Sequence, residues 1–128
     1  MASLTVLDAS ILLAHFDRTD KHHRAADAIL ADAEELAAST LTLAEVLVGA
    51  ARADRLEEQL GALAALQIEH VPVDRGAVSR LAELRANTRL RLPDCCVIDA
   101  ALTTDATAIA TRDRGLMRWA QRLGLNVP

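Results

Sequence analysis

The stretch Leu4-Thr5-Val6-Leu7-Asp8, residues 4–8, reads as a short strand buried on both faces and ending on an acid. A strand covered on one side only would alternate apolar and polar residues, so a run of this kind calls for layers above and below it. Outward from it, β-rich runs alternate with helical patterns. A helix is expected over about 21–33, then a weak strand at 35–39 that is poor in β-branched residues. Helices over 42–53 and 56–66, separated near Asp54, precede a strand at 68–73 and a helix from Ala77 to about Asn87. Pro93 introduces a helix from Asp94 to about Thr104, followed by a strand at 107–111, a helix at 116–123 and a last short strand at 125–127. Strands alternating with helices imply right-handed crossovers. The expected fold class is α/β, a mainly parallel sheet flanked by helices on both faces. No linker, repeat or low-complexity segment interrupts the chain, so residues 1–128 form one domain.

Composition agrees. Apolar residues make up 52% of the chain but aromatics only 2%, Phe16 and Trp119. The core must therefore be built of Ala, Leu, Val and Ile. No apolar run approaches the ~18 residues that span a bilayer, and the N-terminus lacks the basic start and long apolar stretch of a signal peptide. The expected location is cytoplasmic, with no membrane partner. Cys95 and Cys96 are adjacent, a spacing that suits neither an unstrained disulfide nor a metal site. They read as two small buried residues of a helix.

The net charge is -4, but it is unevenly spread. Residues 1–74 carry five basic and thirteen acidic side chains, whereas residues 75–128 carry nine basic and five acidic ones. Every basic residue except Lys21 is an arginine, whose planar fork suits phosphate.

Four acids stand where strands end and helices begin: Asp8, Glu45, Asp94 and Asp113. Each alone is explained as a helix cap, and Thr42-Leu-Ala-Glu45 matches a capping box. Together they say more, because a parallel sheet brings its carboxyl ends to one edge, where ligands bind. Four carboxylates in one cleft disfavour ionisation unless a cation neutralises them. Oxygen donors without a histidine or thiol companion suit a hard ion, Mg²⁺ or Mn²⁺. Such ions serve phosphodiester hydrolysis without a nucleophilic side chain.

The segments Val6-Leu7-Asp8-Ala9-Ser10, Thr42-Leu43-Ala44-Glu45-Val46-Leu47, Leu92-Pro93-Asp94 and Thr111-Arg112-Asp113-Arg114 resemble, in order, the four signature segments of PIN domains. They are particularly similar to those of the VapC toxins of bacterial type II toxin–antitoxin systems. The resemblance implies a PIN-like fold, a Mg²⁺- or Mn²⁺-dependent endoribonuclease, homodimerisation, and inhibition by a cognate VapB-like antitoxin. It makes Asp8, Glu45, Asp94 and Asp113 the catalytic, metal-binding acids, with Ser10 and Thr111 as hydroxyls that orient an acid or a water. One position departs: Asp99, where many relatives hold a small apolar residue, adds a fifth acid. It follows Asp94 by five residues, so on one helix it points roughly 140° away and lies about 7.5 Å further along the axis.

Arg85, Arg89 and Arg91 lie before Asp94, and Arg112, Arg114, Arg118 and Arg122 surround Asp113. They read as a basic rim around an acidic centre, with Arg112 and Arg114 as RNA contacts. With so few aromatics, base stacking cannot be the main grip on RNA, and the phosphate backbone must supply it. His22-His23 reads as solvated helix surface, and His15 and His70 receive no role. A haloacid-dehalogenase-like phosphatase would want an acid where Ser10 stands, and a receiver domain would want a late lysine. The remaining alternative is a PIN-like scaffold that binds protein without catalysis.

Overall fold

The computed structural model describes residues 3–128. Its elements run β1 (Leu4–Leu7), α1 (Ala9–Phe16), α2 (His23–Asp32), β2 (Glu35–Ser39), α3 (Thr40–Arg52), α4 (Leu56–Ala65), β3 (Glu69–Val71), α5 (Ala77–Thr88), α6 (Leu92–Thr103), β4 (Ala108–Ala110) and α7 (Arg114–Arg122). The four strands form one sheet in the order β3-β2-β1-β4, and every pairing is parallel. The first strand is therefore central, as its unbroken burial requires.

Alternation along the strands sends side chains to two separate cores. Leu4, Val6, Ala37 and Ile109 pack with Val97, Ile98 and Ala101 of α6 and with Leu116 and Ala120 of α7. Leu7, Ala38 and Ala110 face the other way, against Ile11 and Leu12 of α1, Ala26 of α2, Val46 of α3 and Leu63 of α4. Helices thus cover both faces, which is the expected α/β architecture. Seven consecutive residues of α6, Cys95 to Ala101, are buried, so this helix runs through the interior. Both cysteines are free and buried within it.

Two expectations need correction. The strand at 125–127 is reduced to one parallel bridge, Ala108 with Asn126. The proposed capping box is not one, because α3 begins at Thr40 and Thr42 lies inside its first turn. α1 was implied only by Asp8 as a helix cap and given no range: apolar residues lie nearly all round it, so it shows no helical periodicity. Among the described residues no helix is long and apolar enough to cross a membrane.

Candidate functional site

The carboxyl ends of β1 and β4 lie side by side, with Leu7 level with Ala110 and the Asp8 amide donating to the Ala110 carbonyl at 2.9 Å. Asp8 caps α1, its Oδ1 accepting from the Ala9 amide at 2.8 Å. Its other oxygen accepts from the Ser10 hydroxyl at 2.9 Å and from the Thr111 hydroxyl at 2.7 Å. Each hydroxyl also accepts a backbone N–H, Ser10 from Arg112 and Thr111 from Asp113, both at 3.0 Å. Asp113 caps α7 by accepting from the Leu116 amide at 2.8 Å. One hydrogen-bonded chain therefore fixes Asp8 and Asp113 relative to each other across the strand ends.

Glu45 and Asp94 come from α3 and α6, and the charge of Asp8 acts on both. Partial burial raises the proton affinity of the Asp94 carboxyl, and the negative charges of Asp113, Asp8 and Glu45 raise it further. Glu45 is pushed up in the same way, by desolvation first and then by Asp8. Asp94 thus feels the charges of the other three acids, and Glu45 that of Asp8. Among the described residues no three acidic, imidazole or thiol side chains are drawn into an ion-holding cluster. A hard cation that keeps several waters needs few direct protein ligands, and the all-oxygen donor set fits it.

Arg91 opposes these shifts at both Asp94 and Glu45. It immediately precedes α6, and its influence on an acid of another helix is a tertiary property that its sequence neighbourhood only hinted at. Arg112 is exposed and its Nη2 lies 2.8 Å from His22 Nδ1. Arg114 opens α7 and is exposed. Arg85 instead donates to the carbonyls of Arg89 and Leu90, closing the end of α5, and Arg122 lies over the Trp119 ring.

Asp99 is not brought to this edge. Its carboxylate takes a forked pair of bonds from Arg80 on α5, at 2.7 and 3.3 Å. The histidines also differ from the reading as unpartnered surface. Asp27 joins His15 at 2.6 Å and His23 at 3.2 Å, and His70 meets the Thr40 hydroxyl at 2.6 Å. These partners are 12 or 30 residues distant, except for the His23–Asp27 turn, which is why the sequence does not show them.

The PIN domain family model matches residues 5–121. No curated protein sequence matches the chain. Among solved structures, VapC20 of Mycobacterium tuberculosis, described as a toxin cleaving the sarcin–ricin loop, is similar in fold at a TM-score of 0.76 and 14% identity, over 90% of this chain and 94% of that one. A toxin–antitoxin complex from Klebsiella pneumoniae is similar at a TM-score of 0.72 and 23% identity, over 88% and 89%. VapBC2 of Rickettsia felis, bound to a promoter DNA fragment, is similar at 0.68 and 16% identity, over 98% and 97%. With the family model spanning β1 to α7, the chain belongs to the PIN domain family.

Proposed function

We infer that the protein is a divalent-metal-dependent endoribonuclease and the toxin of a VapBC-type pair. The supporting observation is the hydrogen-bonded chain that sets Asp8 and Asp113 beside each other at the carboxyl ends of β1 and β4, with Glu45 and Asp94 near enough for the Asp8 charge to act on both. Asp8, Glu45, Asp94 and Asp113 would hold Mg²⁺ or Mn²⁺ there, and the ion would supply an acidified water and neutralise charge on the phosphodiester. Asp8 and Asp113 are the rigid half of the site, since the Asp8 carboxylate accepts capping and hydroxyl bonds and the Asp113 carboxylate accepts the capping bond of α7. Glu45 and Asp94 are the half whose ionisation depends most on a cation, because the fold already disfavours their charged forms. Ser10 and Thr111 orient Asp8, while Arg91, Arg112 and Arg114 receive phosphates on either side. Asp99 supports the site only remotely, by holding α6 to α5 through Arg80.

RNA is the substrate in this reading, the protein acts in the cytoplasm as a homodimer, and a VapB-like antitoxin inhibits it. The toxin–antitoxin assemblies among its structural relatives favour that partner. Purified protein should cleave RNA with Mn²⁺ or Mg²⁺, stop in excess chelator, and stop again when the antitoxin is added. Undiminished cleavage in chelator refutes the mechanism. Metal-replete protein that binds antitoxin but leaves every RNA intact would instead favour the non-catalytic scaffold.

A further inference from the structure

Arg112 belongs to the strand-end network through its backbone. Its amide donates to the Ser10 hydroxyl at 3.0 Å, and the residues on either side of it, Thr111 and Asp113, are themselves joined by a hydrogen bond. Its side chain is held by a different segment. The guanidinium Nη2 lies 2.8 Å from His22 Nδ1 and 3.5 Å from His22 Nε2, across 90 residues of sequence. A guanidinium has donors and no acceptor, so this bond requires a lone pair on His22 Nδ1, which only a neutral imidazole offers.

Among the described residues Arg112 makes no ion pair, unlike Arg80, which the Asp99 carboxylate holds at 2.7 Å. The difference matters for binding. A carboxylate partner fixes a guanidinium and cancels its charge, whereas a neutral acceptor fixes it and leaves the charge in place. Arg112 is exposed, so that charge is open to a ligand.

His22 is itself firmly placed. Its amide donates to Asp20 Oδ1 at 2.7 Å, and its carbonyl accepts the Ala26 amide of α2 at 2.9 Å. The next residue, His23, is tied to the Ala14 carbonyl of α1 and to Asp27. The His22 side chain makes no cap bond for α2, which leaves its ring to Arg112. The arginine is therefore fixed at both ends, by Ser10 at its amide and by His22 at its guanidinium.

We propose that His22 is a positioning residue for Arg112, its neutral imidazole holding the guanidinium with its charge uncancelled for a phosphate of the RNA backbone. The role rests on the reading of Arg112 as a phosphate contact. A side chain already ordered loses less freedom when RNA binds, which is worth about 2–10-fold in affinity.

The experiment measures binding of a mixed-sequence single-stranded RNA oligonucleotide by fluorescence anisotropy, in chelator and over a range of salt concentrations. It compares His22→Asn, His22→Asp, His22→Ala, Arg112→Ala and the double variant His22→Ala/Arg112→Ala. Asn and Asp share a shape and are both favoured at a helix N-cap, so α2 persists in either, and the two differ in charge. His22→Asn keeps a neutral acceptor and should bind RNA nearly as well as wild type. His22→Ala should bind about 2–10-fold more weakly, with no further loss when Arg112→Ala is already present. His22→Asp should cancel the guanidinium charge, bind about as weakly as Arg112→Ala, and lose about one unit of salt slope. Equal affinity and slope in His22→Asn and His22→Asp, alongside a loss in Arg112→Ala, overturn the positioning role alone. Losses that add in full in the double variant overturn it too, since His22 would then act apart from Arg112. Unchanged binding in Arg112→Ala removes the phosphate contact and this role with it, while cleavage that still requires Mn²⁺ leaves the metal site standing.

Discussion

The Asp8 carboxylate is held on both oxygens, by the Ala9 amide on one and by two hydroxyls on the other. Thr111→Val removes one of those bonds while keeping side-chain shape, and cleavage should fall about 10–100-fold with little change in melting temperature. A rate within twofold of wild type, about the noise of such comparisons against that range, would show that the hydroxyl does not set the carboxylate. Asp94 makes a different prediction. Its carboxyl has a raised proton affinity in the fold, so ionising it costs stability at neutral pH. That cost shrinks as pH falls through the folded-state pKa and vanishes below the unfolded value. In chelator, Asp94→Asn should therefore melt above wild type at neutral pH, and the gap should close as the pH is lowered. A lower melting temperature for the variant at neutral pH contradicts the shared acidic edge. Asp99→Asn should do the reverse of Asp113→Asn. Weakening the half-exposed Arg80 pair costs about 1 kcal/mol of stability and leaves turnover near normal, whereas Asp113→Asn cuts turnover in a folded protein. Asp8, Asp94 and Asp113 were legible because each follows a strand or opens a helix, whereas Glu45, expected in the first turn of α3, is its sixth residue. The partners of Ser10 and Thr111 were not, since Thr111 meets Asp8 across 103 residues of sequence.

At the scale of elements, five helices end in the same way. Asp54, Gln67, Arg89, Asp105 and Gly124 follow or cap α3 to α7 with positive φ, and only the last is glycine. A left-handed residue bearing a Cβ costs roughly 1–2 kcal/mol, partly offset by the greater chain entropy of glycine in the unfolded state. Gln67 at φ 55° is exposed, so Gln67→Gly should stabilise the protein by about 0.5–1 kcal/mol. Chemical denaturation measures it, and a loss of stability would mean that the glutamine side chain makes contacts worth more than its strain. These helix ends sit close to the boundaries expected from periodicity, because a polar residue that tolerates the left-handed region interrupts each pattern. The extent of α1 was not legible for the opposite reason: Ile11 and Leu12 face the core while Leu13 remains 49% exposed, so its apolar surface has no polar complement. β2 reads weakly because Ala37 and Ala38 are small, and they are small because helices press on both faces of the strand. The single bridge at Asn126 follows from an edge position beside β4, where no further strand continues the sheet.

Over the whole molecule, an acidic centre is bordered by arginines drawn from segments far apart in sequence. Arg91 precedes α6 and touches the electrostatics of Glu45 and Asp94, while Arg112 and Arg114 border Asp113. If these side chains hold phosphates, Arg91→Ala, Arg112→Ala and Arg114→Ala should each weaken RNA binding across sequences. Each should also reduce the salt dependence by about one unit of slope per lost contact. Unaltered slopes for all three would return them to the ordinary solvated surface. The central claim, however, is that the acids perform cation-dependent hydrolysis, and Asp8 is where it is most exposed. Asp8→Asn removes a charge while preserving the shape of the side chain that caps α1. The decisive measurement is the RNA cleavage rate of wild type and Asp8→Asn across a Mn²⁺ titration, with circular dichroism of both. Wild type should be inactive in chelator and rise to saturation with Mn²⁺, while the folded variant stays at least about 100-fold slower at every concentration. A folded Asp8→Asn protein that cleaves at the wild-type rate, with the same Mn²⁺ dependence, would contradict the account.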